Sequence, residues 1–253
     1  MGAIVAFANQ KGGVGKTTSA VNVAAALGKK GKRVILVDMD PQGNTTSGVG
    51  VGKKHIRHSI YDVLTGEADT RSAIIATKFK NLSLLASNID LAGAEIELHE
   101  MEGRAYRLRD ALATIRDEFD YLIIDCPPSL GMLTINSLSA ADGLVIPMQC
   151  EYFALEGLSQ LMITVKKIRQ LYNPSLEVTG ILLTMYNGRL ILSNQVVAEL
   201  KKYYADKIFK TPISRSVKLS EAPGFGAPIC YHDPYSKGSL EYADIAKELM
   251  MRI

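Results

Sequence analysis

The sequence predicts an α/β protein: a doubly wound, mostly parallel sheet flanked by helices. Short apolar runs of strand length recur along the chain, and helical patterns of about ten or more residues separate most of them. No repeat, low-complexity tract or long linker breaks that alternation. At 253 residues and 47% hydrophobic content the chain can fill one continuous core, so a single domain over residues 1–253 is expected.

Ala3 to Ala8 is the first apolar run, and a Gly-rich loop follows it. Thr17 to Lys30 then has helical spacing at Ala20, Val23, Ala24 and Leu27. The run Val34 to Val37 is a second buried strand, left at Asp38, with Pro41 and Gly43 breaking the chain. Leu82 to Ala86, Tyr121 to Ile124, Leu144 to Pro147 and Val178 to Thr184 repeat the design, and Pro127 and Pro128 end the third of these six runs from the last. The segment Gly43 to Lys80 is richer in Gly, Thr and charge. It is expected to form loops and short helices over one edge, without a clear strand.

Composition excludes several classes. No run approaches the roughly 20 apolar residues of a membrane span, and Asn9, Gln10 and Lys11 interrupt the apolar N-terminal stretch. A cytoplasmic protein is expected. Cys126, Cys150 and Cys230 are odd in number and widely spaced, which reads as reduced core thiols rather than a disulfide framework. His55 and His58 lie in a basic segment with no third ligand near, so a metal site is not expected there.

The formal charge is +3, and it is unevenly spread. Residues 186–253 hold 10 Lys and Arg against 7 Asp and Glu, while residues 1–185 balance at 19 each. Such a late excess is either a solvated helix face or a field that attracts a polyanion.

The Gly-rich loop carries the chemistry. Phosphates need converging donors and a cation, and a glycine turn running into a helix supplies backbone N–H groups and the helix dipole. Gly12, Gly13 and Gly15 allow close approach, Lys16 would neutralise the β- and γ-phosphates, and the Thr17 hydroxyl would ligate magnesium. The strict pattern GxxxxGK[ST] fails at one place, where Gln10 replaces glycine. A dinucleotide-binding loop is disfavoured because the GxGxxG spacing is absent and position 18 is Thr18.

Three motifs in order, KGGVGKTT at Lys11 to Thr18, VDMDPQGNTTSG at Val37 to Gly48 and LIIDCPPSLG at Leu122 to Gly131, resemble the ParA/Soj branch of the deviant-Walker P-loop ATPases. The likeness continues through TMYNGR at Thr184 to Arg189 and VKLSEAPGFGAPI at Val217 to Ile229. It implies ATP and Mg²⁺ as ligands, held by Lys11, Gly12, Gly13, Val14, Gly15, Lys16, Thr17 and Thr18. Lys11 matches the signature lysine that reaches the other subunit's ATP in a sandwich dimer. Asp40 matches the residue that orients the attacking water. Thr17 would touch the metal, with Asp38 and Asp125 holding its waters. Asn187 and Pro212 match the adenine-holding region, although relatives often carry aspartate at the first of these.

The same resemblance places Arg189 and Lys218 on a surface for nonspecific double-stranded DNA; Lys201, Lys202 and Lys237 are candidates from their charge alone. It implies an ATP-bound homodimer, release on hydrolysis stimulated by a ParB-type centromere-binding protein, slow free hydrolysis and a nucleoid-associated location. The alternative is a MinD-like membrane-associated division regulator. That reading needs a membrane-binding terminal helix, whereas LEYADIAKELMMRI has the spacing of a packed one, so no stable membrane association is expected. A metal-cluster ATPase would need cysteines placed to bridge two subunits, and these three do not suggest it.

Overall fold

The computed structural model describes residues 1–253. Its first half runs β1 (Ala3–Phe7), α1 (Lys16–Lys29), β2 (Val34–Asp38), α2 (Asn44–Gly48), α3 (Ile60–Thr65), β3 (Ile74–Ala76), β4 (Leu82–Leu85), α4 (Leu91–Glu97), α5 (Arg107–Ala113) and β5 (Tyr121–Asp125). It continues through α6 (Met132–Ala140), β6 (Gly143–Gln149), α7 (Ala154–Leu171), β7 (Glu177–Thr184), α8 (Ile191–Tyr204), α9 (Val217–Glu221), α10 (Ile229–His232) and α11 (Lys237–Arg252).

The strands form one seven-stranded sheet in the order β3-β4-β2-β5-β1-β6-β7. Every neighbouring pair is parallel except β3 with β4. All six expected strands are present. The expectation of no strand between Gly43 and Lys80 needs correction, because Ile74–Ala76 pairs antiparallel with β4 and forms that edge of the sheet. Three half-exposed residues are too few to show a period, and their pairing is fixed by β4 rather than by local pattern.

Alternation along the strands divides the interior into two layers. Ile4, Ala6, Ile35, Val37, Leu122 and Ile124 face α3 to α8, while Val5, Phe7, Val34, Leu36 and Ile123 face α1 and α9 to α11. Helices on both faces bury both sides of the sheet, which is why these strands read as unbroken apolar runs. Helix α1 is buried along almost its whole length, and its Ala20, Val23, Ala24 and Leu27 stripe lies against the sheet layer that Tyr242, Ile245, Ala246 and Leu249 of α11 complete. Ser19 of α1 and Tyr242 of α11 are hydrogen-bonded at 3.2 Å. The face of α11 formed by Tyr242, Ile245, Ala246 and Leu249 is thus occupied within the chain, while Leu240 and Met251 are exposed, and no helix is long and apolar enough to cross a membrane.

Register then positions the site. Phe7, Asp125 and Asp38 lie side by side at the carboxyl ends of β1, β5 and β2. The chain reverses its winding about β1, and a crevice beyond the carboxyl ends at such a reversal is where ligands bind in open α/β sheets.

Candidate functional site

The loop after β1 is a cradle of donors. None of the backbone N–H groups from Gly12 to Thr18 meets an acceptor within the chain, and Gly15, which precedes α1, offers no side-chain cap. A helix start normally satisfies such groups, so this one is built to receive an external acceptor. Gly13 and Gly15 adopt the left-handed region, with φ of 72° and 82°, a conformation open to glycine at little cost. Neighbouring strand ends grip the loop from below. Gln149 at the end of β6 donates to Gly13 O at 2.9 Å, and Thr184 at the end of β7 donates to Val14 O at 2.8 Å. Asn9 accepts from Lys11 N and donates to Pro147 O, fixing the entry to the turn.

The two lysines of the loop have different surroundings. Lys16 is buried, its Nζ donates to Lys11 O at 3.1 Å, and burial lowers its pKa against the opposing pull of Asp125. Lys11 is half exposed and pairs with the Glu151 carboxylate on the turn after β6. An exposed pair of this kind contributes little stability and exchanges readily.

Asp38 and Asp125 are fully buried beside one another. Asp38 accepts from the Thr46 N–H and hydroxyl, at 2.8 and 2.7 Å, and from the Asp40 N–H at 3.2 Å. Burial nevertheless pushes its pKa up to about 6. Asp125 accepts from the Thr45 hydroxyl at 2.8 Å on one oxygen, while its other oxygen has no hydrogen-bond partner. Burial first, and then the nearby Asp38 charge, push Asp125 up to about 7. Two buried carboxyls with an unpartnered oxygen suit a divalent cation and its water shell, which would hold both in the charged form. No cluster of three or more His, Cys, Asp or Glu could hold a metal alone. The fit is therefore to magnesium that keeps waters and shares its ligands with phosphates and the Thr17 hydroxyl.

Asp40 lies at the crevice mouth. Its Oδ1 accepts from the Gln42 N–H at 2.9 Å, its carbonyl accepts from the Ser87 hydroxyl at 2.7 Å, and its second carboxylate oxygen is unengaged. Ser87 N in turn donates to the Thr46 hydroxyl, tying the segment after β4 to the segment after β2.

Beyond the loop lie two adjoining cavities. The inner one, about 240 Å³, is lined by Gly15, Thr18, Met185, Ser214 and Arg215. The outer one, about 520 Å³, contains both Asn187 and Pro212, together with Arg189, Ser214, Arg215 and Lys237. The expected adenine and DNA residues thus share a wall, since Arg189 stands in the same cavity as Asn187. Asn187 itself is exposed and accepts from the Arg189 N–H at 3.1 Å. Lys218 is on α9, paired with Glu221 at 3.5 Å, and does not line that cavity. Lys202 pairs with Glu199 at 2.5 Å and Lys237 with Glu241 at 3.7 Å.

Comparison with known proteins agrees with this geometry. A family model described as an AAA domain matches residues 2–178. The sporulation initiation inhibitor protein Soj of Bacillus subtilis is 53% identical, over 98% of this chain and 98% of its own length. The chromosome partitioning protein ParA of Caulobacter vibrioides is 47% identical, over 98% of this chain and 94% of its own. This chain belongs to the ParA/Soj family of partitioning ATPases. Among solved structures, cobyrinic acid a,c-diamide synthase from Mycobacterium smegmatis, with bound ADP and magnesium, matches with a TM-score of 0.86 at 39% identity. That match covers 98% of this chain and 93% of the other.

Sequence reasoning missed several groups that surround the ParA/Soj loop. Thr45 and Thr46 stood inside the quoted VDMDPQGNTTSG motif without a role, and spacing alone does not reveal that both turn back onto buried carboxylates. Ser87, Gln149, Glu151 and Thr184 had no local signal, because only strand order brings them to the crevice. Cys126 is buried beside Asp125, and burial pushes its thiol up to about 12, so it is not nucleophilic.

The raised carboxyls give the ParA/Soj chain a measurable pH dependence without nucleotide and magnesium. Between the ordinary 3.8 and about 7 the folded state holds protons that the unfolded state has released. Stability is therefore greatest at the acid end of that window and falls as pH rises through it, by about 1 kcal/mol per pH unit for each proton held. Thermal melting from pH 5 to pH 7 is expected to show a falling Tm, and Asp125→Asn is expected to flatten the slope. A Tm that rises with pH over that range in the nucleotide-free protein contradicts the paired burial.

Proposed function

We propose that this chain is an ATP-dependent DNA-partitioning switch, with residues 1–253 forming one ATPase domain. ATP and magnesium close two copies into a sandwich, the closed dimer binds double-stranded DNA without regard to sequence, and hydrolysis releases it. A ParB-type centromere-binding protein stimulates that hydrolysis, which is otherwise slow. The observation that carries this reading is the acceptor-free run of N–H groups from Gly12 to Thr18 around buried Lys16, with a second lysine, Lys11, free to leave an exposed pair.

The N–H groups of Gly12 to Thr18 bind the phosphates, and Lys16 exchanges Lys11 O for a phosphate oxygen. Thr17 would hold magnesium, with Asp38 and Asp125 as the carboxylates that would hold its waters. When bound, the metal neutralises charge on the phosphates. Asp40 turns its unengaged oxygen toward the attacking water and takes up its proton. Lys11 leaves Glu151 and reaches the ATP of the other copy, as an arginine finger does elsewhere. The nucleoside end of ATP extends from Thr18 through the inner cavity toward Asn187 and Pro212.

Arg189 and Lys218, with Lys201, Lys202 and Lys237 as further contributors, supply the phosphate contacts to DNA. Affinity from such contacts falls as salt rises and carries little sequence preference. The switch is cytoplasmic and nucleoid-associated. The packed apolar face of α11 supports this over a MinD-like membrane role, and liposome flotation with ATP distinguishes the two.

The test is binding to random-sequence duplex DNA with ATP, ADP or no nucleotide over a salt series. Tight binding is expected with ATP alone. Arg189→Ala is expected to weaken it by about tenfold or more and to lower the salt slope by about 1 for each copy in the dimer. If no nucleotide state binds DNA, the switch reading fails.

A further inference from the structure

Arg215 stands between the two halves of the proposed switch. It and Ser214 line both cavities: the inner one that reaches Gly15 and Thr18, and the outer one that contains Arg189 and Lys237. Ser214 is rigidly placed, since its N–H and hydroxyl both engage the buried Glu241 carboxylate at about 3 Å. Arg215 is exposed and meets no carboxylate within salt-bridge reach, unlike Lys202, Lys218 and Lys237, which are each paired. Its one side-chain hydrogen bond within the chain is to the Met185 sulfur, at 3.9 Å.

Met185 links that cation to the phosphate loop. Its sulfur also accepts from Gln149 Nε2 at 3.0 Å, and the same Gln149 nitrogen donates to Gly13 O. Met185 has a φ of 48°, one of two non-glycine residues in the left-handed region. A long unbranched side chain in that conformation costs free energy, and persists where the surroundings over-determine it. Here the surroundings are the end of β7 and the two nitrogen donors. A continuous series of contacts therefore runs from Gly13 through Gln149 and Met185 to Arg215 and the basic cavity.

We infer that Arg215 is the residue that couples nucleotide occupancy to polyanion binding, by sharing one guanidinium between the nucleotide cavity and the surface that meets DNA phosphates. Nucleotide at the loop fixes Gln149 and Met185, which holds the guanidinium beside Arg189 and adds a cation where DNA docks. The inference rests on the ATP-dependent DNA binding proposed above. Its distinguishing property is a coupling factor rather than an affinity, and coupling between two ligands is reciprocal.

The experiment measures DNA affinity at saturating ATP and saturating ADP, and the affinities for ATP and for ADP with and without DNA, for the wild type, Arg215→Ala and Met185→Leu. The wild type is expected to show an ATP-over-ADP preference of about 5- to 150-fold, mirrored in the effect of DNA on the ratio of ATP to ADP affinity. Arg215→Ala is expected to bring both ratios to within about threefold of unity. Met185→Leu keeps the bulk, removes the sulfur and is expected to reduce both ratios at least threefold; it decides the matter if Arg215→Ala does not fold. An Arg215→Ala protein that loses DNA affinity equally in both nucleotide states, with the ratio intact, overturns the coupling and leaves a plain phosphate contact. An unchanged ratio in Met185→Leu overturns the route through the sulfur. A wild type without ATP-dependent DNA binding removes the proposed function itself, and the inference with it.

Discussion

Lys11→Ala is expected to lower ATP turnover by about three orders of magnitude or more, the range assigned to a cation delivered in trans to a transferring phosphoryl group. Nucleotide binding by the separate chain is expected to suffer far less, because the N–H groups of Gly12 to Thr18 and the buried Lys16 remain. The loss should also appear as a failure to pair when ATP is added, read by sedimentation or light scattering. Lys16→Ala gives the contrasting pattern, in which binding itself fails. If Lys11→Ala turns over ATP within about threefold of the wild type, the second lysine acts on neither copy's nucleotide, and the role drawn from its resemblance is wrong.

Asp40→Ala is expected to cut hydrolysis by about 10²- to 10⁴-fold, the usual contribution of a positioned general base. It should not prevent closure, since Asp40 is anchored by its backbone to Ser87 and Gly43 and the phosphate cradle does not depend on its carboxylate. The ATP-bound dimer should therefore accumulate and stay on DNA through a wash that releases the wild type. Single-turnover phosphate release separates this from a binding defect. Hydrolysis at the wild-type rate would assign the water to another group, and a variant unable to retain DNA would mean that Asp40 helps to build the dimer.

The parts of the site legible in the sequence are those that one segment makes by itself. The β1-loop-α1 unit is local, so its glycines, Lys16 and Thr17 could be read from order and spacing. Asp38 and Asp125 were also legible, because a carboxylate at the end of a run such as YLIID marks the carboxyl end of a buried strand. The groups that support them were not. Gln149 and Thr184 reach the loop only because β6 and β7 lie beside β1 in the sheet order, and Ser87 reaches Asp40 only because β4 lies beside β2. Strand order is a property of the whole chain. Arg215 belonged to the late basic excess, yet composition could not distinguish it from Lys202, which spends its charge on Glu199. The edge strand Ile74–Ala76 escaped for the same reason in miniature, being defined by its neighbour.

The hydrogen bond between Ser19 and Tyr242 makes α11 the back wall of the nucleotide cradle. The helix that opens at Lys16 leans on α11, so α11 acts as a buttress for the loop. Tags and fluorescent fusions joined directly to α11 load the buttress. A fusion that frays its last turns would loosen the grip on ATP from behind, and a shortened chain would pass for a dead enzyme although every residue of the crevice was intact.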